Sequence, residues 1–172
     1  MEAINSFISL PGSIDVIYAN AGIGSPDELS SGSASTMNKI LSVNILGVTN
    51  TVMPFIPYMK SIKSGKIAVI CSVASFRGLA HHSAYSGSKV AIRNICQGWG
   101  TALYKHNISV TAICPGFIKS EMTDKNEFFM PFIMDTDVAV KKIIRAVEKK
   151  KKVFIFPWQM RYIGVPIMKY AP

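Results

Sequence analysis

Four short, nearly continuous apolar runs rich in β-branched residues constrain this chain more than any other feature. They are IDVIYA at 14–19, KIAVIC at 66–71, ISVTAIC at 108–114 and KVFIF at 152–156. Strict alternation would mean a sheet with one wet face, whereas runs this uniformly apolar need cover on both faces, as in a parallel sheet. Parallel strands require long crossovers, and helical patterns over 35–61, 83–105 and 135–150 supply them. Asp135 is the expected N-cap of the third. Pro54 and Pro57 are expected to kink the first helix or end it early. Strand, helix, strand repeated three times predicts a doubly wound α/β architecture with right-handed crossovers. With 49% apolar and 17% charged residues, the 172 residues suffice for a core of their own. No repeat or linker divides them, so 1–172 reads as a single domain.

The formal charge is +9, which invites a nucleic-acid or acidic-membrane reading. Many of the cations lie between Lys141 and Lys152, interleaved with Val, Ile and Ala. That placement reads as the solvated face and C-terminal end of a helix, where cations suit the helix dipole, and no nucleic-acid partner is expected. Cys71, Cys96 and Cys114 are widely spaced in apolar surroundings, without metal-ligand spacing. An odd set of buried thiols points to a reducing compartment, the cytoplasm, and to no metal site. MEAINSFISLPGS lacks the basic start and apolar run of a signal peptide. No 18 consecutive apolar residues predict a spanning helix.

In open α/β sheets ligands bind beyond the carboxyl ends of the strands. Ser72 follows the second run directly, and the next helix opens on Ser-Ala-Tyr85-Ser-Gly-Ser-Lys89. Four residues apart, Tyr85 and Lys89 share a helix face. A lysine ammonium beside a phenol would lower the phenol's pKa from about 10. With a serine hydroxyl beside it, the set suits moving a proton onto or off an alcohol or carbonyl oxygen. A tyrosine packed under a lysine stem is the bland alternative. The neighbouring pattern decides between them: Asn20-Ala21-Gly22 after the first run, Asn44 within VNILG in the first helix, and Pro115-Gly116 after the third run.

In order and spacing these residues resemble the short-chain dehydrogenase/reductase family over nearly the whole chain, which implies a Rossmann-like sheet. The resemblance makes Tyr85 the catalytic acid/base and Ser72 the group that orients the substrate oxygen. Lys89 would lower the Tyr85 pKa and hold nicotinamide-ribose hydroxyls, and Asn44 would hold a relay water. Asn20, Ala21 and Gly22 match a cofactor-side motif with Ala19 in place of its first amide. Pro115 and Gly116 would lie against the nicotinamide, and Ile118 and Ser120 fall at the positions after it. The implied reaction is hydride transfer between NAD or NADP and an alcohol or carbonyl, the cofactor carrying the hydride chemistry.

Nicotinamide enzymes of this fold cradle pyrophosphate on a glycine-rich turn at a helix N-terminus. None of the 12 glycines here forms Gly-x-x-x-Gly-x-Gly. The run at 14–19 matches the family's fourth strand, so the resemblance implies only the C-terminal portion of the sheet, about four strands. Met1 to Leu10 would end a helix packed on it. Cofactor binding by this chain alone is expected to be weak or absent, and the edge of the first strand exposed.

Residues 117–134 read as a substrate loop whose Phe and Met content suits an apolar substrate or simply packs the loop down. The tail, 153–172, carries a last strand and then alternating aromatics and cations, suited either to cover the substrate site or to touch a membrane interface. His81 and His82 precede the catalytic helix and are expected to be solvated. Helices 35–61 and 83–105 are candidate surfaces for a homodimer or tetramer, the Gly98-Trp99-Gly100 segment among them. The alternative to an enzyme is a non-enzymatic remnant that binds a protein, a nucleic acid or a membrane.

Overall fold

The computed structural model describes residues 6–9, 14–124 and 129–170 of the chain. Four strands, β1 (Val16–Ala19), β2 (Gly65–Ile70), β3 (Ile108–Pro115) and β4 (Val153–Phe156), lie side by side in that order. All three pairings are parallel, with Val16 opposite Lys66, Ile67 opposite Val110 and Ala112 opposite Val153. This is the α/β, Rossmann-like sheet expected. The strands begin and end within two residues of the apolar runs, because those runs mark where both faces are covered.

The first crossover is α1, a helical stretch over Ser35–Ser61. It does not end at its prolines. A 3₁₀ turn at Met53–Phe55 tightens it, and Pro54 and Pro57 each fall at the start of a new segment, where no backbone N–H is needed. Among the described residues α1 alone is long and apolar enough to cross a membrane, with a mean hydropathy of 1.4. The expectation of no such helix considered only unbroken runs and missed it. Its Val48, Val52, Ile56 and Met59 are buried in the core under the sheet, so one apolar face already has a use.

The second crossover is α2 (Ser83–Leu103) and the third α3 (Thr136–Glu148). The sheet's two faces sort by the twofold alternation of strand side chains. Ile67, Val69 and Cys71 with Val110, Ala112 and Cys114 meet α1 and α2. Ala68, Ile113 and Phe156 meet Ala139, Ala146 and Val147 of α3 on the other face. Strand order advances in one direction while α3 crosses the opposite face from α1 and α2. The last crossover therefore has the opposite hand, and the three are not uniformly right-handed as expected. After β4 the chain forms α4, a π-helical segment Met160–Gly164 that continues as Val165–Tyr170.

Asp135 occupies the N-cap position of α3, but its carboxylate makes no cap bond. It pairs instead with Lys119 at 2.6 Å, both ends exposed. β1 is an edge strand among the described residues, and Tyr18 is exposed on its second face. Of 1–10 only 6–9 are described, helical at 6–8 with Phe7 exposed.

Candidate active site

The carboxyl ends of β1, β2 and β3 bring together residues far apart in sequence. Ser72 leaves β2 in extended backbone, and its Oγ accepts a hydrogen bond from the Ala74 N–H at 3.1 Å. That turn aims the hydroxyl at α2, where it faces the Tyr85 phenol and favours its ionised form. One helical turn on, Lys89 is 4% exposed, its Nζ 5.7 Å from the Tyr85 ring centre. The ammonium donates to the Ile70 carbonyl at 2.9 Å.

The electrostatics differ from the expected ones. Burial pushes the Tyr85 phenol above its ordinary value, only partly offset by the Ser72 hydrogen bond. The net shift is upward with Lys89 nearby, because burial outweighs the lowering influences. Burial also holds Lys89 below its ordinary value, against the favourable influence of Cys71 and Cys114. Those two thiols and Cys96 are all free and buried, although far apart in sequence. Cys71 is pulled down by a hydrogen bond to Cys114 but pushed up more by Cys96 and by burial, to about 12. Thiols so placed are inert packing groups.

Asn44 is 1% exposed and lies within a π-helical turn, Ser42–Leu46, of α1. Such turns mark functional positions disproportionately often, and the sequence pattern gave no sign of this one. Its Oδ1 accepts from the Ile23 N–H at 2.8 Å, and its Nδ2 donates to the Ile23 carbonyl at 2.9 Å and to Ser88 Oγ at 3.0 Å. Ser88 Oγ in turn donates to the Tyr85 carbonyl at 2.7 Å. The amide is thus used in holding the loop after β1 to α2. Gly22 and Gly24 flank that clamped residue. A Cβ on Gly22 would stand 3.2 Å from Lys89 Nζ, and one on Gly24 would stand 3.2 Å from Tyr85 Cδ2. The same Gly24 position is 3.8 Å from Met122 Sδ, which brings the loop after β3 to the loop after β1.

The remaining expected residues stand further out. Pro115 ends β3, and the Gly116 N–H donates to the Phe156 carbonyl at 2.7 Å. Asn20 and Ala21 are both exposed, and neither side chain joins the hydrogen-bonded set. Ile118 bridges to Met134. Ser120 is exposed, and its backbone N–H donates to Thr123 Oγ1 at 2.8 Å. Residues 125–128 of the expected substrate loop lie outside the described residues.

Asp27 was missed by the sequence reading. It is buried, and its carboxylate accepts from the backbone N–H groups of Ser83 and Ala84, the latter at 3.3 Å. It therefore caps the N-terminus of α2 from a distant loop, while His82, at the N-cap position, makes no side-chain cap bond. The Ser83 hydrogen bond, above the opposing cost of burial, holds the Asp27 carboxyl below its ordinary value. His81 and His82 serve through their backbones: the His81 carbonyl accepts from the Asp27 N–H and the His82 carbonyl from the Ser86 N–H. An acid in a loop rich in Gly, Ser and Pro is the only signal that could have found Asp27.

A family model for short chain dehydrogenase matches residues 1–128. The chain belongs to the short-chain dehydrogenase family. It is 34% identical over 160 residues to an uncharacterized oxidoreductase of Myxococcus xanthus, covering 93% of this chain and 63% of that protein. It is 26% identical over 170 residues to a 3-ketodihydrosphingosine reductase of Bacteroides thetaiotaomicron, covering 98% and 62%. The chain therefore spans less than two thirds of the length of these curated relatives. The solved structure of ElxO with NADP bound matches with a TM-score of 0.76 at 26% identity, covering 90% of this chain and 70% of that one.

The residues present fit the nicotinamide-ribose end of a dinucleotide. Lys89 carries three donors and has one hydrogen-bond acceptor among the described residues, and Gly22 beside it adds no side chain. A buried ammonium with donors to spare matches a sugar diol. For the pyrophosphate, the chain carries no Gly-x-x-x-Gly-x-Gly turn.

Proposed function

We propose that this chain forms the catalytic portion of an NAD(P)-dependent oxidoreductase that reduces a carbonyl to an alcohol, with Tyr85 as the proton donor. The observation that carries it is the Ser72–Tyr85 hydroxyl pair beside the buried Lys89 ammonium. A phenol whose pKa is raised by burial is protonated at neutral pH, which leaves it a proton to give to a carbonyl oxygen. Nicotinamide, when bound in its reduced form, supplies the hydride to the carbonyl carbon. Tyr85 gives its proton to the carbonyl oxygen, and Ser72 donates a hydrogen bond that orients the same oxygen. Lys89 holds the ribose hydroxyls, and Asn44 keeps the loop carrying Gly22 and Gly24 in place. Pro115 and Gly116 would hold the nicotinamide side of the bound cofactor, with Ile118 and Ser120 following them.

Met122 beside Gly24, and the reductase relative named for a 3-keto substrate, support an apolar carbonyl compound as the substrate class. Exposed Leu46 and Met53 on α1 support self-association through that helix. Three free buried thiols support a reducing, cytoplasmic setting.

The test is calorimetric titration with NADPH and NADH, together with reduction of a panel of apolar ketones by the wild type and by Tyr85→Phe. Binding, with turnover lowered about 10²-fold or more in the phenylalanine variant, supports the reading. Dinucleotide-dependent ketone turnover that is undiminished in Tyr85→Phe overturns it.

A further inference from the structure

α4 is apolar on two sides. Its inner side places Met160 and Val165 against Val73, the residue after Ser72, and Arg77 Nη1 ties it down by donating to the Met168 carbonyl at 3.3 Å. Its outer side exposes Trp158 (63%), Tyr162 (64%), Ile167 (59%) and Tyr170 (84%). Trp158 and Tyr162 also line a shallow cavity of about 480 Å³ with Phe132, Lys142, Phe154 and Arg161. None of Ser72, Tyr85 or Lys89 lines it. An exposed face this rich in aromatics marks a contact surface.

Charge decides what covers it. Between Val138 and Tyr170 the chain carries nine Lys or Arg residues and one acid, Glu148. Lys142 and Arg161 line the cavity, no carboxylate does, and Lys169 stands on the helix itself, 5.2 Å from the Phe76 ring. A second copy of this face would set like charges against each other. Trp and Tyr with basic neighbours are the side chains that settle at the boundary between lipid headgroups and acyl chains. We infer that the outer face of α4, with the cavity between Phe132 and Tyr162, docks on an anionic lipid bilayer. Docking would set the inner side of α4, and with it the end of β2, next to the membrane. The inference does not depend on nicotinamide chemistry.

The experiment is sedimentation of the protein with phosphatidylcholine vesicles, with and without phosphatidylglycerol, at low and moderate salt. Trp158 emission is followed in a Trp99→Phe background. Binding only to the anionic vesicles, weaker in salt and with a blue shift of Trp158, is expected. Lys142→Glu with Arg161→Glu should weaken it roughly tenfold or more, since each basic residue near an anionic leaflet contributes about fivefold. Tyr162→Ser should weaken it without changing the salt dependence. Equal binding to neutral vesicles, no binding to either, or a concentration-dependent dimer lost in Tyr162→Ser without vesicle binding would each overturn the inference. So would binding to soluble RNA with none to vesicles.

Discussion

Removing the Asp27 carboxylate should loosen the helix that carries both Tyr85 and Lys89. Asp27 accepts from two backbone N–H groups at the first turn of α2, which have no partner within the helix. Loss of an ordinary side-chain cap costs about 0.5–2 kcal/mol, and hydrogen bonds to a charged group contribute about 1.5–3 kcal/mol. Because the carboxylate is buried and bonded twice, Asp27→Ala should cost about 2 kcal/mol, in the upper part of the cap range. Asp27→Asn, which keeps one acceptor but no charge, should cost about 1 kcal/mol. For a chain of this size each kcal/mol lowers Tm by about 2–4 °C, so the losses are about 4–8 °C and about 2–4 °C. The sign with pH follows from the depressed folded pKa. The stabilisation is complete above 3.8, the ordinary carboxyl value, and is lost as pH falls through the lower folded value. Thermal unfolding of the wild type and Asp27→Asn should therefore show a gap at neutral pH that closes in acid. Equal Tm values at neutral pH, or a gap that widens in acid, would refute the reasoning.

Three further outcomes are expected. Gly65→Ala places a Cβ 2.9 Å from Met59 Cγ, in a core where Met59 is fully buried, and urea unfolding should show a loss of about 1–3 kcal/mol from overpacking. Lys89 has its pKa lowered by burial, so its own contribution to stability should rise with pH through the window that ends at 10.5, against the falling contributions of Tyr85 and Cys71, whose values burial raises. In urea titrations the stability of the wild type relative to Lys89→Met should therefore grow with pH across the window, and a difference that stays flat would refute the assignment. Asn44→Ala leaves the Ile23 N–H and carbonyl without their partner. It should cost about 2–6 kcal/mol by chemical denaturation, at about 1–3 kcal/mol for each of the two groups left unpaired.

The sheet was legible because burial on both faces leaves no freedom in composition: KIAVIC and ISVTAIC can only be covered strands. Ser72, Tyr85 and Lys89 were legible because strand end and helical turn fix their relative positions through local geometry alone. What the sequence concealed depends on contacts between distant segments. Asp27 caps a helix that begins 56 residues later, and no local pattern encodes that. The face chosen by α3, and hence the hand of the last crossover, follows from which side of β3 its alanines fit. The direction of the Tyr85 shift was not legible, because spacing places the ammonium near the ring without revealing the burial that raises the phenol.

The loop after β1 shows how one polar side chain can organise the site without entering the chemistry. Ile23 stands between Gly22 and Gly24, and Asn44 grips it by both its N–H and its carbonyl. A residue held by two backbone groups cannot rotate about the chain, so the glycines on either side are fixed with it. One leaves the space over Lys89 clear and the other the space over the Tyr85 ring. An ordinary helix repeat at Ser42–Leu46 would turn the following residues by a different angle from the π-helical segment observed. The widened turn, the amide and the two glycines therefore act as one device. Its effect is room: on the proposed function, the space for a sugar and a substrate beside Lys89 and Tyr85 is kept open by a rigid frame, and the buried amide supplies that rigidity.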